Sequence, residues 1–154
     1  LRMGKFLCEQ LFAHPFEALQ APESLTRHYL CLLFALQQPN TRGIAANFPM
    51  LILRTCGYLE QYAEDFIRDI EKGTLAPWLQ LEPELRLKLE QQLVSNPNRA
   101  KQLREILQAE GRLTPELAWS KLSFVVTARG GTSDFYFQRF PTYFRDTPGF
   151  GAVY

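Results

Sequence analysis

The run Leu122-Ser-Phe-Val-Val-Thr-Ala128 passes without a break into Arg129-Gly130-Gly131-Thr132-Ser133. β-Branched residues side by side favour extended backbone, and a nearly continuous apolar run predicts a strand buried on both faces, as in a parallel sheet. An aromatic helical stretch over Asp134–Phe144 follows, then a Pro148-Gly149 turn, then a last apolar strand over Phe150–Tyr154. Strand, glycine turn, helix and strand make a βαβ unit, and this unit limits the chain to the α/β class.

Upstream, the texture is helical. Phe6, Leu7, Leu11 and Phe12 recur with helical spacing over Lys5–Ala13, and Pro15 marks a break. Ser24 is placed to cap a helix carrying Leu25, Tyr29, Leu32, Leu33 and Leu36. Gly43–Phe48 reads as a short strand, and Met50–Glu71 as one long helix stopped by Gly73 in the left-handed conformation. Glu82–Val94 opens with Pro83 and carries a Glu84–Lys88 pair one turn apart. Asn96-Pro97 opens a helix that ends at Gly111, and Thr114-Pro115-Glu116 supplies a cap, a first-position proline and a first-turn acid. The expected architecture is therefore helix-rich α/β with a small, mostly parallel sheet.

Charge and cysteine content exclude several classes of function. Seventeen Lys and Arg against sixteen Asp and Glu leave a net charge of +1, too small a surplus for a protein whose main partner is a nucleic acid. No stretch of about 18 apolar residues is present to span a membrane. Cys8, Cys31 and Cys56 contain no CxxC pair and suit a reducing, cytoplasmic setting in which cysteine packs as a small hydrophobe. Cys8, His14, His28 and Cys31 form a chemically legitimate zinc set. His28 and Cys31, however, stand three apart beside Tyr29, Leu30, Leu32 and Leu33, which reads as a buried helix stripe, so no metal is expected. Met3 is not the first residue and Tyr154 falls inside an apolar run, so the chain reads as a piece of a larger protein. The unpaired backbone of a strand ending there favours self-association.

The best candidate site is the turn Gly130-Gly131-Thr132-Ser133. Ligands of open α/β sheets bind outside the carboxyl ends of the strands, adjacent glycines admit close backbone approach, and two hydroxyls stand near a helix start. The turn matches neither GxxxxGK[ST] nor GxGxxG, and Ser133 serves equally well as an N-cap. Tyr154, at the end of the second parallel strand, belongs to the same rim and offers a ring to stack on a purine.

Three stretches taken together resemble one family. They are Thr26-Arg27-His28-Tyr29-Leu30-Cys31-Leu32-Leu33, then Gly57-Tyr58-Leu59-Glu60 through Asp69-Ile70-Glu71-Lys72-Gly73-Thr74-Leu75, then Phe124–Phe144 followed by Gly151–Tyr154. The chain is similar to the acyl acid–amido synthetases first known from plant auxin and jasmonate conjugation, within the acyl-adenylate-forming (firefly luciferase-like) superfamily. The resemblance implies a middle portion of the N-terminal domain, with 1–120 as a mainly helical acyl-pocket region and 121–154 as the adenine-site region. It implies that Gly130, Gly131, Thr132, Ser133 and Tyr154 face the nucleotide, and that Arg27, Phe48, Met50 and Thr55 line the acyl-acid pocket. It also implies ATP and Mg²⁺ in the full-length enzyme, with a small carboxylic acid and an amine or amino acid as partners. The family's phosphate loop, later nucleotide motif and C-terminal domain are missing from these residues, so the chain by itself is expected to be inactive and to hold no nucleotide tightly. Arg129-Gly130-Gly131 departs from the plant Thr-Gly-Ser pattern. The competing reading is a non-enzymatic helical interaction module whose glycine turn is only structural.

Overall fold

The computed structural model describes residue 6, residues 11–131 and residues 133–153, with residues 152 and 153 described by backbone alone. The helix expected over Lys5–Ala13 therefore falls largely outside the described residues. A 3₁₀ turn at Phe16–Gln20 leads into α1 (Ser24–Leu36), β1 (Gly43–Ala46), α2 (Pro49–Gln61), α3 (Ala63–Lys72), α4 (Pro83–Gln92), α5 (Pro97–Glu110) and α6 (Pro115–Ala118). After these come β2 (Phe124–Arg129), α7 (Ser133–Phe137), a 3₁₀ turn at Phe140–Thr142 and β3 (Gly149–Val153). The three strands form one parallel sheet in the order β1-β2-β3, with Ala46 opposite Thr127 and Arg129 opposite Val153. This is the helix-rich α/β arrangement with a small parallel sheet that the sequence predicts.

The helical body packs around Tyr29, Leu33, Phe66, Ile70, Leu89, Leu103 and Leu113, all fully buried. Its local boundaries follow the expected chemistry. Asn96 accepts the Arg99 N–H, Thr114 accepts the Leu117 N–H, and Gly73 and Gly111 end their helices at φ 68° and 70°. At Gly73 a side chain is excluded twice, because an added Cβ would also lie 2.7 Å from the Ser95 nitrogen. Beside this glycine, Asp69 receives the Tyr29 hydroxyl and the Ala76 N–H, each at 2.8 Å, on one carboxylate oxygen. The Asp69-to-Leu75 segment is thus a helix end whose carboxylate captures both a neighbouring helix and the returning chain.

Four expectations are corrected. Ser24 is the first residue of α1 and not its cap; Glu23 holds the cap position and takes the Thr26 hydroxyl, while the Ser24 hydroxyl lies 3.4 Å from His28 Nδ1. The long helix is two, broken at Tyr62 (φ −110°, ψ 21°), whose ring stacks on Trp78 with centroids 4.9 Å apart. The aromatic helix stops at Phe137 and resumes as a 3₁₀ turn, because Pro141 has no N–H to continue an α-ladder. Finally, β2 is covered on one face only. Val125 and Thr127 are buried, whereas Phe124 and Val126 are 40% and 37% exposed, since among the described residues α2 and the aromatic segment cover just one side.

Candidate functional site

All three strands run in one direction, so their carboxyl ends share one rim. β1 leaves it through Asn47 and Phe48 into the start of α2, and the Ala128 N–H donates to the Asn47 carbonyl at 3.3 Å, joining the two exits. β2 leaves it through Gly130 and Gly131 into α7, and β3 reaches it with Val153 opposite Arg129. Phe48, Met50, Gly130, Gly131 and Ser133 are thereby gathered at one edge. Thr132 and Tyr154 lie outside the described residues.

The turn needs both glycines for conformational reasons. Gly130 and Gly131 have φ of 144° and 57°, and a Cβ added to either meets nothing within 4 Å. The turn therefore faces open space. The Ser133 hydroxyl donates to the Gly130 carbonyl at 2.6 Å and accepts the Gly130 N–H at 2.7 Å, so it holds the turn closed. Arg129 lies with its guanidinium 5.5 Å from the Phe137 ring centre and 3.7 Å from Asp134, a cation resting on an aromatic face. Its aliphatic stem occupies the space a side chain at Gly151 would need, since a Cβ there would come within 2.6 Å of it.

Two further features mark this edge. α2 begins at Phe48-Pro49 with no side-chain cap, leaving the positive end of a 13-residue helix beside the sheet. Just inside the rim, on the α2 side of β2, the Thr127 hydroxyl is buried and has no hydrogen-bond partner among the described residues. Buried polar atoms are nearly always paired, so this hydroxyl stands out, as does the buried Arg112 Nε, which also lacks a partner among the described residues. Sequence reasoning missed Thr127, which reads as one more β-branched residue in the strand; its inward position depends on register.

Other proposed site residues are elsewhere. The Arg27 guanidinium donates to the Ala21 and Pro22 carbonyls at 2.9 and 3.2 Å, and so ties α1 to the loop before it. α1 meets α2 where His28 stands edge-on to Tyr58, about 13 Å along the axis from Pro49 at 1.5 Å per residue. Thr55 returns its hydroxyl to the Leu51 carbonyl of its own helix at 2.8 Å. His14 and His28 each point Nδ1 at a backbone carbonyl, and Cys8 lies outside the described residues. Among the described residues no three His, Cys, Asp or Glu side chains are grouped to hold a metal. A surface groove of about 610 Å³ opens between the Pro39-Asn40 loop, α5 and α6, away from the rim. Arg99 on its wall is committed to the Leu36 and Ala118 carbonyls at 2.7 and 2.6 Å.

A helix-rich α/β domain with an open glycine turn at the carboxyl rim of a small parallel sheet is what fold and site define. The sequence matches the model of the GH3 family N-terminal domain over residues 1–149. The chain belongs to the GH3 family. Among solved structures it is similar to a GH3.15 acyl acid amido synthetase, with a TM-score of 0.78 and 19% identity over 92% of this chain and 25% of that one. It is also similar to an AtGH3.15 acyl acid amido synthetase in complex with 2,4-DB, with a TM-score of 0.71 and 20% identity over 86% of this chain and 24% of that one. The chain thus spans about a quarter of the length of these structures. No curated protein matches it in sequence. Among the described residues no helix is long and apolar enough to cross a membrane.

Proposed function

We propose that this chain forms one wall of the active site of an ATP-dependent acyl acid amido synthetase, with the sheet rim as its nucleotide side. The convergence of Asn47–Met50, Gly130-Gly131 and the end of β3 at one open edge carries the reading. Gly130, Gly131 and Thr132 would contact the adenylate, Ser133 would hold their turn in shape, and Tyr154 would stack on the purine. Phe48 and Met50, 60% and 39% exposed at the start of α2, would offer apolar surface to a small carboxylic acid. Thr55 and Arg27 would serve the same pocket from further along α2 and from α1.

In such an enzyme the carboxylate attacks the α-phosphorus of ATP and pyrophosphate leaves; an amine or amino acid then attacks the activated carbonyl, the acyl–phosphate C–O bond breaks, and AMP and a proton leave as the amide forms. What these residues supply is positioning, which accounts for much of the barrier lowering when two reactants must meet. In this reading the adenosine side would lie against the open turn. We assign the triphosphate and Mg²⁺ to parts of the enzyme outside this chain, and accordingly the 154 residues alone should be inactive. Pyrophosphate release from ATP, measured with a panel of carboxylic acids, tests this. The product of the native reading frame should release pyrophosphate and the isolated 154 residues should not. Release by the isolated chain, or none from the product of the frame, would overturn the reading.

A further inference from the structure

The Glu116 carboxylate accepts four hydrogen bonds from one short segment. Three come from consecutive backbone N–H groups, Arg145 at 2.9 Å, Asp146 at 3.0 Å and Thr147 at 2.8 Å, and the fourth from the Thr147 hydroxyl at 2.6 Å. Successive N–H groups that converge on one point make an anion nest, and here the anion is a side chain from 29 to 31 residues upstream. An acid in the first turn of a helix ordinarily serves its own helix. In α6 the Thr114 hydroxyl already takes the free Leu117 N–H, and Glu116 reaches across to the other segment.

The two ends of this link differ in rigidity. α6 is locked into the helical body: Leu113, Ala118 and Trp119 are buried, the Trp119 indole N–H donates to the Ala35 carbonyl, and Arg99 donates to the Ala118 carbonyl. Segment 145–147 has no such base. It leads through Pro148, whose carbonyl accepts the Val125 N–H, directly into β3, and among the described residues β3 is paired on one side only.

We infer that Glu116 is a positioning residue: its carboxylate fixes the backbone of 145–147 to the helical body and thereby sets where the outer strand of the rim begins. The functional meaning rests on the nucleotide reading of the rim, whereas the link itself does not. If the reading holds, Glu116 places the wall that carries Tyr154 relative to the glycine turn.

Amide hydrogen exchange on the full chain, followed by NMR, tests the inference with Glu116→Ala and Glu116→Gln. In Glu116→Ala the amides of 145–147 and 149–152 should exchange about tenfold or more faster while those of α5 keep their rates, because a local opening is released without loss of global stability. Glu116→Gln retains one carbonyl oxygen for the nest and should fall between the two. If Glu116→Ala does not fold, the Gln variant carries the comparison. Unchanged rates in β3, or a rise no larger than that in α5, would overturn the inference. Adenosine monophosphate added to each protein separates the two ideas. Shifts at Gly130 and Gly131 that persist while the response at Val153 is lost support positioning of the wall. Equal responses at Val153 in wild type and variant count against it. No shifts at all in the wild type sink the nucleotide reading and leave the exchange rates to decide the role of Glu116.

Discussion

The helical body and the sheet lobe hold themselves together in opposite ways. In the body, the buried carboxylate of Asp69 is satisfied: it is 1% exposed, takes two hydrogen bonds on one oxygen, and has the Arg68 guanidinium 3.7 Å from the other. In the lobe, among the described residues, one sheet face is uncovered, the central strand carries a buried hydroxyl without a partner, and the segment leading into the outer strand is held to the body by Glu116. The Asp69 to Leu75 segment, part of the family resemblance, therefore has a structural task, while the candidate site sits on the glycine turn. A memorable motif and a functional site need not coincide.

Breaking the body should have the largest effect. Asp69→Ala leaves the Tyr29 hydroxyl and the Ala76 N–H buried without a partner, a loss of about 2–6 kcal/mol at roughly 1–3 kcal/mol per orphaned group. Asp69→Asn keeps an oxygen for both donors and should cost less than about 1 kcal/mol. Burial also raises the Asp69 carboxyl above its ordinary range, against the hydrogen bonds and Arg68, so removing its charge is no handicap. Denaturant unfolding of both variants checks the contrast, and equal losses would contradict it.

The link between the two regions should respond to acid. Burial alone would raise the Glu116 carboxyl, but the Thr147 hydroxyl and the three N–H groups outweigh it and hold it below the ordinary range. A depressed carboxyl contributes stability that is fully present above its unfolded value of about 4.3 and is lost as pH falls through the folded value. Arg145 and Asp146 flank the same nest by their backbone. Wild type minus Glu116→Gln stability, plotted against pH, should therefore shrink on acidification below about 4.3 and stay flat above it.

Within the lobe, Thr127→Val removes an unpaired buried hydroxyl and should be neutral or stabilising by up to about 1 kcal/mol. If the hydroxyl serves a ligand, the same variant weakens nucleotide binding while melting no earlier. The smallest effect belongs to the open sheet face, where Val126→Ser should change stability by no more than about 0.5 kcal/mol. A loss of several times that would mean the face is covered in solution.

Local chemistry made much of this fold legible. Gly73, Gly111, Asn96 and Thr114 each declare a helix boundary through a property of one residue, and each does what its type predicts. The βαβ order and the parallel sheet follow from the Leu122–Ala128 run and the glycines after it. What sequence could not supply depends on distant partners. Tyr62 breaks a helix without proline or glycine because its ring joins Trp78, and Pro141 was visible but competed with a strong aromatic periodicity. Phe124 and Val126 are as apolar as Val125, so one-sided covering of β2 is invisible in the run itself. Glu116 looks like an ordinary first-turn acid until the segment near residue 146 is brought beside it. Of the candidate site, the glycine turn and the start of α2 were legible. Thr127 was not, since its inward position is set by register, and neither was the bond of Arg27 to the Ala21 and Pro22 carbonyls, which depends on how α1 meets the loop before it.

The central claim is that nucleotide meets this chain at the shared carboxyl rim of its three strands. Titrating the ¹⁵N-labelled 154-residue chain with adenosine monophosphate into the millimolar range tests it most directly. The account predicts weak binding, with shifts centred on Gly130, Gly131 and the Asn47–Met50 segment and none in α4 or α5. Shifts centred on the groove beside Arg99, or none at the rim at any concentration, would contradict it.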